Sequence, residues 1–116
     1  MTEAYIYDTI RSPRGKGRSD GSLHEISSVK LSAILLQSLK DRHSLDTSLL
    51  EDVIWGNATQ VGEQGGCLAR SAVLLSDYDQ CVAGLSINRF CASGLEAINL
   101  ASNQIKAEAG NAYVAG

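Results

Sequence analysis

The chain has 116 residues, 44% of them apolar and 20% charged, which is the composition of an ordinary globular domain and excludes a disordered or fibrous protein. Ten Lys and Arg against thirteen Asp and Glu give a net charge of −3, which argues against a general nucleic-acid-binding or anionic-membrane surface. No apolar run is longer than four residues, and Glu3 and Asp8 do not fit a signal peptide, so we expect no membrane span and a cytoplasmic location.

The first predicted element is a strand. Residues Ala4–Tyr7 form a β-rich run that ends by Arg11, and the glycine-rich polar stretch Ser12–Gly21 that follows is predicted to be a loop. This region holds four of the ten basic residues, namely Arg11, Arg14, Lys16 and Arg18. It matches neither G-x-G-x-x-G nor G-x-x-x-x-G-K-[ST], so we interpret it as a solvated loop, with contact to an anionic ligand or partner as the alternative. Arg70 and Arg89 are interpreted as surface or interface charges.

The second predicted element is an amphipathic helix. Ser27 or Ser28 is a suitable N-cap, and the helical pattern continues to about Lys40. Its predicted apolar stripe follows the i, i+3, i+4, i+8 spacing at Leu31, Ile34, Leu35 and Leu39.

A strand, a loop and a short helix are predicted next. The strand is Asp52–Gly56, and the polar, glycine-rich run Asn57–Gly66 is the loop after it. The apolar face of the short helix is predicted at Leu68, Ala69, Ala72, Val73 and Leu75.

The last third of the chain predicts a strand, a helix and a final strand. The strand is Val82–Asn88, and the helix begins near Cys91 and ends before Gly110, which is placed as a left-handed C′ glycine. Residues Asn111–Gly116 form the final strand. The apolar face of this helix is predicted at Leu95, Ile98, Ile105 and Ala109.

The predicted order is therefore βαβαβαβ, which indicates an α/β fold with a doubly wound, mostly parallel sheet and helices on both faces. The chain stops on a strand, and no helix follows to cover the sheet. Since a parallel sheet needs both faces covered and an open edge strand invites aggregation, we expect this chain to be an incomplete part of a larger domain.

The turn after the third predicted strand places Cys91 where chemistry concentrates in α/β proteins, at the point where a strand ends and a helix begins. Three small residues at 92–94 follow it and allow a substrate to approach closely. A helix N-terminus favours a thiolate, and the Cys91 backbone N–H is placed to donate to an oxyanion. Cys91 is therefore a candidate nucleophile, and packing as a small hydrophobe is the competing interpretation.

The other cysteines and both histidines supply no second catalytic group. Cys67 and Cys81 lack a comparable context and are interpreted as packing residues. Three cysteines with no C-x-x-C pair argue against a zinc site and against a disulfide framework. His24, beside the first loop, and His43, at the end of the first helix, do not complete a catalytic pair with Cys91.

Four segments form a recognisable set when they are taken in chain order. They are Arg11–Pro13 with its glycine-rich continuation to Leu23, Asp52–Gly56, Gln60–Gly66 with Ala69 and Arg70, and Ile87–Ile98. On these segments the chain resembles the N-terminal part of the thiolase family, the acetyl-CoA acyltransferases. The Asn-x-x-Cys-x-Ser-Gly pattern that begins at residue 88 is the most specific part, and the terminal Tyr113–Gly116 resembles the family's next strand end.

The resemblance implies that residues 1–116 are the N-terminal part of the thiolase N-terminal domain, without the C-terminal half. Cys91 then corresponds to the acyl-accepting nucleophile, whose thiolate takes the acyl group from a 3-ketoacyl-CoA and passes it to CoA. The reverse reaction condenses two acetyl-CoA molecules. Acyl-CoA and CoA are substrates, and neither a cofactor nor a metal is implied.

The resemblance also implies an activating histidine and a second cysteine from the C-terminal half, which no residue here matches. We therefore expect the 116-residue chain alone to lack turnover and the full-length protein to form a homodimer or homotetramer. Two alternatives stay open. One is a ketoacyl synthase-like condensing enzyme of the same superfamily, and the other is a non-catalytic α/β interaction module that uses the sheet edge near Val82–Asn88.

Overall fold

The computed structural model describes residues 2–116, which form a three-stranded parallel sheet with helices on both faces. This confirms the predicted α/β class. The helices and strands are α1 (Ser28–His43), β1 (Asp52–Gly56), α2 (Leu68–Leu75), β2 (Ala83–Ile87), α3 (Ser93–Lys106) and β3 (Tyr113–Ala115). Two short 3-10 turns, Thr47–Leu49 and Gly62–Gln64, lie in the connections.

The sheet has the strand order β2-β1-β3, so β1 is its central strand. Asp52 at the start of β1 lies opposite both Ala83 and Tyr113. Because all three strands are parallel, their carboxyl ends meet at one edge of the sheet. There the Gly56 N–H donates to the Gly116 carbonyl (2.6 Å).

The two faces of β1 are covered by different helices. Val53 points into a cluster with side chains of α1 and α2, and its neighbour Ile54 points into a second cluster with Ala97 and Ala101 of α3. Successive side chains of a strand alternate between faces, so a strand covered on both sides is a continuous apolar run. This explains why Val53 and Ile54 are both fully buried.

The N-cap predicted for α1 is confirmed, but the predicted apolar stripe is only partly right. The Ser27 hydroxyl accepts a hydrogen bond from the Lys30 N–H (3.2 Å). The buried positions of α1 are Ser32, Ala33 and Leu36. Of the predicted stripe, Ile34 is exposed, and the other three residues are half-buried, namely Leu31, Leu35 and Leu39. The Trp55 indole N–H of β1 donates to the Ser32 hydroxyl (3.0 Å). The face of α1 that lies towards the sheet therefore includes the small residues Ser32 and Ala33.

The faces predicted for α2 and α3 are also partly wrong. On α2 the predicted Leu68, Ala69, Ala72 and Val73 are buried, but Leu75 is exposed at the helix end. On α3 the buried positions are Ser93, Ala97 and Ala101. Leu95 is 64% exposed and Ile98 is also exposed. Small residues face the sheet on α3 because its backbone packs close to β1, and Leu100 reaches the same cluster from the side of the helix.

The end of α3 differs from the prediction as well. The helix ends at Lys106, and the residue in the left-handed conformation is Glu108 (φ 58°), not Gly110. A Cβ at Gly110 would instead collide with the side chains of Glu51 and Tyr113. Position 110 therefore needs glycine for space and not for its backbone angle.

The strand predicted at Ala4–Tyr7 is absent, since no strand forms among residues 2–27. Tyr7 is 94% exposed, and Tyr5 and Ile6 are exposed as well. A groove of about 1450 Å³ separates residues 2–10 from β3 and the flanking helices. Aromatic and β-branched residues favour a strand only where a partner edge is within reach, and this segment does not reach β3.

Asp8 attaches this N-terminal segment to the end of α1. Its carboxylate accepts hydrogen bonds from Arg42 (3.0 Å) and lies 2.6 Å from the His43 ring nitrogen Nε2.

Within the described residues, no helix is long and apolar enough to cross a bilayer.

Tyr78 joins the connection after α2 to α1. Its hydroxyl donates to the Leu36 carbonyl (2.6 Å), and the residue is only 4% exposed. Burial, together with the nearby negative charge of Asp41, raises the pKa of Tyr78 to about 12. The phenol is therefore held in its neutral, donating form.

We predict that Tyr78→Phe lowers the free energy of unfolding by about 1–2 kcal/mol at neutral pH, because the buried Leu36 carbonyl loses its donor. Above the ordinary tyrosine pKa of about 10, the unfolded chain releases this proton before the folded chain does. Stability should therefore fall as pH rises from there towards 12, and Tyr78→Phe should remove this part of the decline. Urea unfolding at pH 8 and at several values between pH 10 and 12 measures both effects.

The matched control is Tyr7→Phe, which removes a hydroxyl from an exposed tyrosine. It should change neither the unfolding midpoint nor its pH dependence. An alkaline decline that is equally steep in wild type and Tyr78→Phe would show that Tyr78 is not its source.

Candidate active site

Cys91 lies in the turn between the end of β2 and the start of α3, with an exposed side chain. The turn is at the carboxyl edge of the parallel sheet, as the sequence predicts. The N-cap residue of α3 is Ala92, and no side chain caps this helix end. The partial positive charge of the α3 N-terminus is therefore available beside the thiol.

Two polar side chains hold the Cys91 turn in shape. The Asn88 side chain accepts a hydrogen bond from the Phe90 N–H (2.8 Å) and donates to the Ala58 carbonyl (3.3 Å). The Ser93 hydroxyl accepts from the Arg89 N–H (2.9 Å) and donates to the Phe90 carbonyl (2.6 Å). Phe90 has φ 51°, a left-handed conformation that costs a non-glycine residue about 1–3 kcal/mol, so these contacts offset local strain.

Gly56 allows the first turn of α3 to lie directly against β1. A Cβ at Gly56 would stand 2.5 Å from the Ser93 carbonyl carbon and 2.5 Å from the Gly94 nitrogen. Both are backbone atoms that cannot move without displacing the helix. The position of Cys91 relative to the sheet thus depends on glycine at the end of the central strand.

Cys67 and Cys81 have structural contacts away from this turn. Cys67 is the N-cap residue of α2, and its thiol donates to the Gly84 carbonyl (3.3 Å). Cys81 is exposed, and its N–H donates to the Asp79 carboxylate (2.8 Å). The side-chain interaction of the Cys81 thiol with the Asp79 carboxylate raises the pKa of that thiol, which disfavours its thiolate.

Neither histidine contacts Cys91. His43 pairs with Asp8 at the end of α1, and this hydrogen bond is the main reason that the pKa of Asp8 is lowered. His24 lies in the turns that precede α1. Within residues 2–116 the Cys91 thiol has no hydrogen-bond partner, so the described part of the chain brings it no base.

The arginines named in the sequence analysis differ in exposure and in their hydrogen-bond partners. Arg11, with the basic loop after it, is exposed. Arg70 is not the surface or interface charge that the sequence predicts, because its guanidinium donates to the Val82 carbonyl and to the Gln80 carbonyl (3.0 Å). Arg70 therefore fixes the entry into β2. Arg89 forms a long, exposed ion pair with Glu96 (3.8 Å).

Sequence patterns alone do not indicate the structural roles of Ser93, Asn88 and Gly56. All three lie within the segments that carry the family resemblance, and this is the one feature of the sequence that singles them out. The spacing does not show that the Ser93 hydroxyl turns back onto the Phe90 carbonyl, because this contact depends on a left-handed residue that the pattern does not predict.

The fold and this turn define an α/β protein with an exposed cysteine at a strand-to-helix junction. The family model described as "Thiolase, N-terminal domain" matches residues 4–116. Because this match covers nearly the whole chain, the chain belongs to the thiolase family. The predicted resemblance is thereby confirmed, and the family match favours a thiolase over a ketoacyl synthase.

Three known proteins illustrate the relationship. The 3-oxoadipyl-CoA/3-oxo-5,6-dehydrosuberyl-CoA thiolase of Escherichia coli K12 is 44% identical over 117 residues, which are 100% of this chain and 29% of that protein. The 3-ketoacyl-CoA thiolase of Pseudoalteromonas atlantica is 37% identical, over 100% of this chain and 30% of that protein. The crystal structure of the Bacillus anthracis acetyl-CoA acetyltransferase matches with a TM-score of 0.76 at 31% identity, over 83% of this chain and 24% of that chain. The chain thus spans less than a third of these relatives.

We predict that Gly56→Ala lowers the free energy of unfolding by about 1–3 kcal/mol, because the new methyl group meets the backbone of α3. The same change should disturb the turn that carries Cys91 and slow its reaction with thiol reagents. Urea unfolding and the rate of Cys91 alkylation measure the two effects.

Gly17→Ala is the matched control, since a Cβ at Gly17 has no atom within 4 Å. It should leave both measurements unchanged. Wild-type stability in Gly56→Ala would show that the first turn of α3 does not depend on this glycine.

Proposed function

We propose that the protein is an acyl-CoA acyltransferase of the thiolase type in which Cys91 is the nucleophile. The observation that carries the proposal is the exposed Cys91 thiol at the uncapped N-terminus of α3, on the carboxyl edge of the sheet. Membership of the thiolase family supports it. A thiol at this point is open to a large substrate and lies next to the partial positive charge of the helix N-terminus.

In the degradative direction the Cys91 sulfur forms a bond to the 3-keto carbon of a 3-ketoacyl-CoA, and the carbonyl oxygen becomes an oxyanion. Collapse of this intermediate breaks the bond between carbons 2 and 3. The electron pair leaves with the two-carbon fragment, which takes up a proton to become acetyl-CoA. The thiol of free CoA then attacks the acyl-cysteine, loses its proton, and releases the Cys91 thiolate with a shortened acyl-CoA.

The same steps in reverse give a condensation. Cys91 takes the acetyl group of one acetyl-CoA, and CoA leaves as its thiol. A second acetyl-CoA loses a proton from carbon 2, its enolate forms the new bond to the acetyl carbon, and the bond between that carbon and the Cys91 sulfur breaks. CoA thioesters are the substrates in both directions, and the proposal includes no cofactor and no metal. The names of the relatives, a 3-oxoadipyl-CoA thiolase, a 3-ketoacyl-CoA thiolase and an acetyl-CoA acetyltransferase, support this substrate class.

Residues 1–116 are, on this proposal, the N-terminal part of the thiolase N-terminal domain. The activating histidine and the second cysteine belong to the C-terminal half of the full-length protein, which we propose to be a cytoplasmic homodimer or homotetramer. The 116-residue chain alone would then lack turnover. The intact mass of the protein as its source makes it separates a product near 12.3 kDa from a longer one.

We predict that acetyl-CoA places an acetyl group on Cys91 of the protein as its source makes it, and that Cys91→Ser abolishes this labelling. In a catalytically complete protein, thiolysis should fall by at least about 10³-fold, because covalent transfer has lost its nucleophile. Peptide mass spectrometry locates the acetyl group, and release of acetyl-CoA measures turnover.

Cys81→Ser is the matched control, because Cys81 is the other exposed cysteine. It should leave the acetylation of Cys91 and the turnover unchanged. Equal and slow alkylation of all three cysteines by iodoacetamide, without acetylation by acetyl-CoA, would contradict the proposal and favour an interaction module.

A further inference from the structure

Ser93 has an unusual position for the first residue of a helix. It is only 5% exposed, and its hydroxyl makes two hydrogen bonds to the backbone of the turn instead of pointing to solvent. The partners are the Arg89 N–H and the Phe90 carbonyl, on the chain just before Cys91. The hydroxyl therefore closes the turn from the helix side.

These contacts fix the plane of the Phe90–Cys91 peptide bond. The Phe90 carbonyl accepts from the Ser93 hydroxyl (2.6 Å) and from the Ser93 N–H (3.2 Å), so it points towards α3. In a planar trans peptide the N–H points opposite to the carbonyl. The Cys91 N–H therefore points away from α3, and it has no acceptor among residues 2–116.

A free N–H on the residue that carries the nucleophile is suited to bind the oxygen of the carbonyl under attack. Such a donor accelerates the reaction only when it is already oriented before the charge develops. Here the left-handed Phe90 (φ 51°) makes the orientation strained, so it has to be held by specific contacts. The Ser93 hydroxyl is the side-chain contact that acts directly on this peptide plane, and it is shorter than the backbone contact from the Ser93 N–H.

We propose that Ser93 is a positioning residue that orients the Cys91 backbone N–H as an oxyanion donor. The inference rests on the proposed function of Cys91 as an acyl-accepting nucleophile. Ser93 itself does not touch the substrate. It acts through the Phe90 carbonyl, and without its hydroxyl that carbonyl keeps only the longer hydrogen bond from the Ser93 N–H (3.2 Å), so the Phe90–Cys91 peptide is held less firmly.

The test is Ser93→Ala in the protein as its source makes it, with two reactions measured at Cys91. Acetyl transfer from acetyl-CoA, in which the sulfur bonds to the acetyl carbon and CoA leaves as its thiol, should slow by about 10- to 100-fold. Alkylation by iodoacetamide displaces iodide from a saturated carbon and creates no oxyanion, so its rate should change little. A merely structural defect would slow both reactions together.

Ser76→Ala is the matched control. Ser76 is also buried, and its hydroxyl also donates to the carbonyl three residues earlier, that of Val73 (3.0 Å), but it lies at the end of α2. It should leave the ratio of acetylation to alkylation unchanged. Ser93→Thr, which keeps the hydroxyl, should restore most of the acetylation rate, whereas the isosteric Ser93→Val should not. This pair also provides the comparison if Ser93→Ala fails to fold.

Two results would overturn the inference alone. One is acetylation of Ser93→Ala and Ser93→Val at the wild-type rate, and the other is an equal loss of acetylation and alkylation in both variants. A wild-type protein whose Cys91 is alkylated but takes no acetyl group would instead overturn the proposed function, and the role of Ser93 with it.

Discussion

The contact between the end of β1 and the first turn of α3 is the constraint on which the candidate site depends. The two backbones approach so closely that even one methyl group at Gly56 would collide with Ser93 and Gly94. This approach explains why the face of α3 towards the sheet carries Ser93, Ala97 and Ala101, and why Leu95 and Ile98 lie outside. It also places the start of α3, and with it the Cys91 turn, directly at the carboxyl edge of the central strand.

The loop after β1 connects this turn to the opposite layer of the fold. The Asn88 side chain donates to the Ala58 carbonyl within that loop, and Glu63 further along accepts from the Ser28 N–H (3.0 Å) and hydroxyl (2.7 Å) at the start of α1. The hydrogen bonds with Ser28 lower the pKa of the Glu63 carboxyl. Glu63 is therefore ionised at neutral pH and able to accept both hydrogen bonds from Ser28. The turn that carries Cys91 is therefore supported by α3 from one side and, through this loop, by α1 from the other.

Much of this architecture could be predicted from residue patterns, and the failures have a common physical origin. The strand at Asp52–Gly56 matched the structure because its signal is local, a short apolar run bounded by polar residues. The strand at Ala4–Tyr7 failed because pairing depends on an available edge, which propensity does not encode. The predicted buried faces of the helices were partly wrong, because small residues lie at the closest backbone contacts, whereas the periodicity argument considers large apolar residues. Cys91 was located by topology, but the contact of Ser93 with its turn depends on the left-handed Phe90.

The turn also separates two requirements of acyl transfer that are often treated together. On the proposed function, the α3 N-terminus and an oriented Cys91 N–H would stabilise the negative charge that develops on the carbonyl oxygen, and both are backbone features built by residues 88–93. Neither can accept or return a proton, and no base contacts Cys91 within residues 2–116. The electrostatic part of the chemistry can thus be built by one strand-to-helix turn, whereas proton transfer requires a side chain brought from elsewhere. Variants of this turn should therefore change how well charge is stabilised without changing which group moves the proton.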